Sequence, residues 1–231
     1  TDVPGIMYSV ALALTPALAG AIYFFGLRAI WITALSVLTC LLTERIIQKL
    51  SGKPLSVRDG SALVTGILLA FNLPPGIAWW IPVLGGVFAI AIGKMTYGGL
   101  GYNPMNPALL GRVFLLFSFP VQMTATWLSP SIFPALDAQT TATPLNILKQ
   151  NSAIIANRDL YSIDTVNAAL SRLADLQTSF LDLFLGNRSG CIGETSVLLL
   201  LLGAAYLLYK RIIGLKIPLA FISTVAVLTW I

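Results

Sequence analysis

Apolar residues gather into about seven stretches, roughly 6–25, 29–43, 60–73, 79–93, 105–121, 195–209 and 217–231, and charge is nearly confined to the connections between them. Only 10% of the residues are charged and 57% are hydrophobic, whereas a soluble domain carries about 25% charge. So little charge cannot cover a globular surface of this size, which argues against a water-soluble enzyme and against disorder. The expected fold class is an all-α polytopic membrane protein whose main solvent is lipid, with about seven transmembrane helices.

The remaining totals narrow the chemistry. The chain has no His, so it offers no His-based metal site or general base, and neither a metal site nor a catalytic residue is expected. Two cysteines, Cys40 and Cys191, are too few for a disulfide framework or a four-thiolate cluster. Cys40 lies in an apolar run and reads as a buried, inert thiol. The net charge of +5 suits positive loops on a cytoplasmic face. No block of Lys and Arg interleaved with aromatics is present, so nucleic acid is not an expected partner.

A helix needs about 20 residues to cross the hydrocarbon, fewer when its flanks snorkel. The first stretch fits easily; 60–73 and 79–93 are short. They are joined by Asn72-Leu73-Pro74-Pro75-Gly76, a tight turn with helix breakers. Such segments read either as broken helices around a binding site or as a plain helical hairpin in a thin region. Thr1 is not an initiator Met and Ile231 stops inside an apolar run, so residues upstream and further membrane segments downstream are expected. The first stretch lacks the basic flank and cleavage site of a signal peptide.

Lys and Arg set the orientation. The 44–58 connection carries Arg45, Lys49, Lys53 and Arg58, and the 210–216 connection carries Lys210, Arg211 and Lys216. Both are expected in the cytoplasm. An even number of crossings separates them if the two short stretches each cross. The long 122–193 region then lies on the outer face. Its Lys149, Arg158, Arg172 and Arg188 nearly balance Asp137, Asp159, Asp164, Asp175 and Asp182. The chain thus divides into a membrane half over 1–121, an extracytoplasmic loop over 122–193, and the start of a second membrane half over 194–231. Within the loop, Ile163, Val166, Leu170, Leu173, Leu176, Phe180 and Phe184 recur at helical spacing. Ser162 reads as the N-cap and Gly186 as the stop of an amphipathic helix lying on the membrane face or on a partner.

Three segments have the composition of a site. Gly93 to Pro107 is dense in Gly, Asn and Pro, and such backbone survives at membrane depth only where protein buries it or a polar cavity borders it. Asn103 and Asn106, with Arg112 in the following span, suggest a structured site; a cytoplasmic turn with Arg112 snorkelling is the other reading. Gly190 to Ser196 opens the sixth stretch, and Glu194, Thr195 and Ser196 read as first-turn residues, either plain capping or an anion contact. Asp137, Gln139, Thr140, Thr141, Ala142, Thr143, Pro144 and Leu145 form a polar loop whose threonines read as turn chemistry, or as hydroxyls able to carry a phosphodiester.

Several blocks in order resemble one family over nearly the whole chain. They are Asp59 to Gly66, Leu73 to Gly76, Gly98 to Arg112, Ser118-Phe119-Pro120, the Thr143 loop and Gly193 to Ser196. The resemblance is to the D subunits of Rnf ion-translocating electron transport complexes and, more distantly, to the B subunits of sodium-pumping NADH:quinone reductases. It implies a urea-transporter-like fold of ten helices in two inverted halves, about seven of them here. It implies FMN esterified through its phosphate to Thr143 on the outer, periplasmic face of a bacterial inner membrane. Asp137, Thr140, Thr141, Ala142, Pro144 and Leu145 would shape that loop, with Thr141 standing where the family commonly has Gly. Gly193, Glu194, Thr195, Ser196, Asn106 and Arg112 are candidate cofactor contacts. The B-subunit relatives also hold a noncovalent riboflavin deeper in the membrane, for which no motif assigns a place here.

The function implied is electron transfer coupled to Na+ or H+ translocation in a ferredoxin:NAD oxidoreductase-type complex, with no catalysis by this subunit alone. The partners implied are the other Rnf subunits, above all the FMN-bearing G subunit and the C subunit, together with a flavin transferase and the bilayer. Two other readings stay open: a channel or transporter for a small solute with no flavin, and a structural scaffold beside an ion path. No intramembrane Asp or Glu cluster is legible, so the coupling ion is not either.

Overall fold

The computed structural model describes residues 2–52, 54–128, 144–157, 162–174, 184–186, 189–194 and 196–230, and these build a helical protein. Two long helices, α1 (Val3–Phe25) and α2 (Leu27–Leu50), meet at Gly26. At 1.5 Å per residue each reaches about 35 Å, enough to cross a bilayer. Their apolar windows have a mean hydropathy of 1.7 and are only 28% buried. So much exposed apolar side chain is tolerable in lipid and not in water. Pro16 has no N–H for the carbonyl of Leu12, and the Thr15 hydroxyl donates to that carbonyl instead at 2.7 Å.

The remaining apolar stretches each contain a shorter helix. These are α3 (Ser61–Phe71), α4 (Trp80–Ile90), α5 (Pro107–Ser118) with its short extension α6 (Pro120–Thr124), and, after the loop region, α9 (Val197–Tyr209) and α10 (Lys216–Trp230). A helix of 11 residues such as α3 spans about 16 Å, too little to cross the hydrocarbon on its own. The turn between α3 and α4 is accordingly interior: Leu73, Pro74 and Pro75 are fully buried. The Gly76 N–H donates to Thr126 O at 3.2 Å, and the Ile192 N–H to Leu73 O at 3.0 Å. Irregular backbone is thus held by protein, as lipid requires.

α2, α3, α4 and α5 pack in sequence, with α1 closing α3 and carrying α9 on its other side. Gly66 makes the α2–α3 approach possible, since a Cβ there would lie 2.6 Å from Val37 Cα. The Ser36 hydroxyl donates to Gly66 O at 2.8 Å across the same contact. Gly193 sits on Phe71 in the same way, with a Cβ meeting that of Phe71 at 2.5 Å. Gly66→Ala and Gly193→Ala are each expected to cost about 1–3 kcal/mol by overpacking, read as a lowered melting temperature in detergent. Unchanged melting in both would show that these contacts are looser than described.

Ile192 and Gly193, ahead of α9, sit on Leu73 and Phe71, and α9 runs back along α1, with Gly203 against Ala13. Its basic C-terminal connection therefore falls at the same end as Arg58, whose carbonyl accepts the Tyr8 hydroxyl at 3.3 Å. One expectation needs correction. The 44–58 connection is shorter than read, because α2 continues through Glu44, Arg45 and Lys49 to Leu50. The amphipathic segment from Ser162 is described as α8 (Ile163–Ala174), packed on α7 (Pro144–Ala156). The Ser162 hydroxyl accepts the Thr165 N–H at 3.4 Å, and Gly186 has φ +97°. Leu176 and Phe180 lie outside the described residues.

Candidate functional site

The helical core holds two polar constellations, one at each end. At the basic end, the side chains of Ser36, Cys40, Glu44 and Gln48 lie one turn apart down a single face of α2, and all four are buried. Across from them, α4 runs into a π-turn, Ala91–Met95. The Thr96 N–H bonds back five residues to Ala91 O at 3.1 Å, and the Gly99 N–H to Lys94 O at 3.1 Å. π-bulges of this kind are frequent at functional sites. Lys94 is 2% exposed and its ammonium donates to Glu44 Oε1 at 2.8 Å, forming the one ion pair among the described residues. It also donates to the Ser61 hydroxyl at the start of α3.

Glu44 Oε1 accepts two further bonds, from Gln48 Nε2 at 2.9 Å and from the Ser56 hydroxyl at 3.1 Å. Glu44 Oε2 is buried with no partner among the described residues. The Gln48 amide also clasps Ser56, donating to its hydroxyl at 2.7 Å and accepting its N–H at 2.9 Å. A cavity of about 180 Å³ opens beside this cluster, bordered by Ser61, Thr65, Lys94, Asn103 and Asn106 on its polar side. Asn106 is the N-cap of α5, its Oδ1 accepting the Ala108 N–H at 2.9 Å. Its amide N–H2 has no acceptor among the described residues. Asn103 donates to Met105 O at 2.8 Å.

At the opposite end, Arg112 on α5 donates to Asn72 Oδ1 at 2.8 Å, and Asn72 Nδ2 donates to Leu68 O at 2.7 Å. Arg112 therefore reaches into the protein, towards the α3–α4 turn, rather than snorkelling to the basic boundary. The Cys191 thiol contacts Asn72 O at 3.5 Å. Burial pushes this thiol up to about 12, the Glu194 carboxylate adds to the rise, and Arg112 opposes it. Cys191 is thus expected to resist maleimide at neutral pH in the folded protein and to react on denaturation. Rapid labelling of native protein would contradict the packing described for it.

Of the residues read as a first turn, Glu194 needs correction, while Ser196 keeps the capping role that the sequence allowed. Ile192–Glu194 is a separate 3-10 turn, and α9 begins at Val197 with Ser196 as its N-cap, whose hydroxyl accepts the Leu199 N–H at 3.4 Å. Glu194 turns back to accept the Cys191 N–H at 3.3 Å, and Gly193 is spent on Phe71. Asp137, Thr140, Thr141, Ala142, Thr143 and Thr195 lie outside the described residues. Pro144 and Leu145 open α7, so Thr143 immediately precedes a helix.

The sequence reading missed Glu44, Gln48, Ser61 and Lys94 as a unit. The available signal was the polar face at 36, 40, 44 and 48, which continues at helical spacing past the end assigned to the second stretch. The sequence reading also gave no sign that Glu44 is buried: it is a single carboxylate, neutralised by a lysine 50 residues away in the chain.

A family model described as the NQR2, RnfD, RnfE family matches residues 1–231. The D subunit of the Na(+)-translocating ferredoxin:NAD(+) oxidoreductase complex of Acetobacterium woodii is 47% identical over 96% of this chain and 63% of its own length. The D subunit of the proton-translocating ferredoxin:NAD(+) oxidoreductase complex of Clostridium ljungdahlii is 42% identical over 99% of this chain and 65% of its own length. The D subunit of the ion-translocating oxidoreductase complex of Stutzerimonas stutzeri is 41% identical over 99% of this chain and 66% of its own length. The chain therefore spans just under two thirds of the length of these curated relatives.

Proposed function

The chain belongs to the NQR2, RnfD, RnfE family, and from that premise we propose that it is a membrane subunit of an ion-translocating oxidoreductase complex of the ferredoxin:NAD type. It carries electrons between neighbouring subunits and is not catalytic alone. The observation that carries the reading is the match along the whole chain, together with relatives at 41–47% identity named as the D subunit of such complexes. Those names include both sodium and proton translocation, so either ion is open to this protein. Its partners are the other subunits, the G and C subunits first among them. It sits in the bacterial inner membrane with the 122–193 region on the outer face, in keeping with basic connections gathered at the opposite end.

The cofactor is FMN esterified through its phosphate to Thr143. The residue type fits, because a threonyl hydroxyl is the required nucleophile. The position fits as well: α7 starts at Pro144 and has no acidic side chain in its first turn. A phosphodiester anion at that helix start would meet unpaired backbone N–H groups and the positive end of the helix dipole. The bound ring supplies reversible electron transfer, and the protein supplies position and electrostatics.

A second, noncovalent flavin suits the cavity at the basic end. Lys94, Asn103 and Asn106 offer it N–H donors, while the Ser61 and Thr65 hydroxyls, which donate to Asp59 Oδ1 and Ser61 O, offer acceptors. At about 180 Å³ the cavity takes the polar edge of a flat ring system and leaves the rest against apolar wall.

Short helices around a buried Pro-Pro turn also favour a second reading, a path for a small solute. Mass mapping of the 113–149 peptide from natively matured protein tests the two. An added FMN phosphate ester on Thr143 supports the electron carrier, and a bare peptide favours the solute path.

A further inference from the structure

We infer that Lys94 is a ligand-binding residue of the cavity at the basic end, and that its ammonium donates to an acceptor atom on the polar edge of the occupant, with Glu44 holding it charged and aimed. The inference rests on the reading of that cavity as a flavin seat and names the group that grips the ring. An ammonium has three N–H donors. Glu44 Oε1 and the Ser61 hydroxyl take two of them, and no other acceptor is bonded to Lys94 among the described residues. Lys94 is 2% exposed and borders the cavity, so its third donor has nowhere to go but the occupant or a trapped water. Left unmet at such burial, that donor is costly.

Charge agrees with this. Lys94 is the single charged residue bordering the cavity among the described residues, and Glu44, its counter-charge, stands behind it on α2. The bonds from Gln48 and Ser56 gather on the carboxylate oxygen that faces Lys94, fixing the carboxylate and hence the ammonium. The π-turn supplies the geometry, because its extra residue rotates Lys94 out of the plain helical register of α4. A flat ring with carbonyl and ring-nitrogen acceptors along one edge matches a cation set beside the amide donors of Asn103 and Asn106. Reduction makes that edge richer in electrons, so a fixed cation beside it favours the reduced form.

The test uses the whole complex purified in detergent. Flavin released by acid is counted against flavin that stays covalently on the chain, and the released species' midpoint potential is measured in the intact complex. Lys94→Met alone strands Glu44, so the paired variant Glu44→Gln/Lys94→Met is the main one, and an undiminished covalent flavin band reports that it has assembled. The expected result is a loss of noncovalent flavin of about tenfold or more, the weight of one hydrogen bond to a charged group. Residual flavin should show a lowered potential, and Lys94→Arg should restore occupancy. Full occupancy at an unshifted potential in the paired variant overturns the role of Lys94 and leaves the flavin seat standing. Wild-type complex that releases no flavin at all overturns both.

Discussion

Thr143→Ala is expected to abolish the covalent flavin proposed for this chain: a denaturing gel viewed under ultraviolet light should show a fluorescent band for the wild type and a dark band of equal protein for the variant. The effect is all or none, since alanine has no oxygen with which to form the ester. On the proposed reading, electron flow through the assembled complex should fall to background with it, because no other residue would replace the tethered carrier. Thr141→Gly, a change towards the Gly that the resemblance implies at that position, is expected to keep the band. The control matters because it separates loss of the tether from damage to a loop that the flavin transferase must recognise. A fluorescent Thr143→Ala band would move the attachment elsewhere in the loop; a dark wild-type band from a host with active transferase would remove the electron-carrier reading and favour the solute path.

Residues along the chain differ sharply in how much they disclose. Every apolar stretch contains a helix, because a helix is the one way a single apolar run in lipid can satisfy its backbone within itself. The breakers at Asn72 to Gly76 mark a turn for local reasons that any context would preserve. The end of α2 was not legible: Glu44, Arg45 and Lys49 resemble the onset of a loop, yet the helix carries them on to Leu50. A charge that has found a partner obeys different rules from one that has not, and the partner, Lys94, lies in a segment read as a glycine-rich loop. Ion pairing across 50 residues leaves no periodic trace. Glu194 and Ser196 were legible as capping residues by type, but their division between a 3-10 turn and an N-cap depends on Gly193 meeting Phe71, which is a tertiary fact.

The buried pair also sets the largest stability effect expected of any single change in the helical core. Glu44 is 0% exposed and Lys94 is 2% exposed, so removing either charge strands the other where water cannot reach it. Glu44→Gln and Lys94→Met are each expected to destabilise the folded protein by about 3–5 kcal/mol. The paired variant should recover most of that loss, because two neutral side chains of similar size have no stranded charge between them. Desolvation of the two ions roughly offsets their attraction, so the pair itself adds little net stability. Its presence in so apolar a core is then better explained by what the ammonium does at the cavity wall than by what it does for folding. Thermal unfolding of the single and paired variants in detergent gives the coupling directly. Additive losses would mean that the two groups are solvated separately and that the ion pair does not exist in the membrane. A coupling close to the loss of either single variant would place both charges in one dry site.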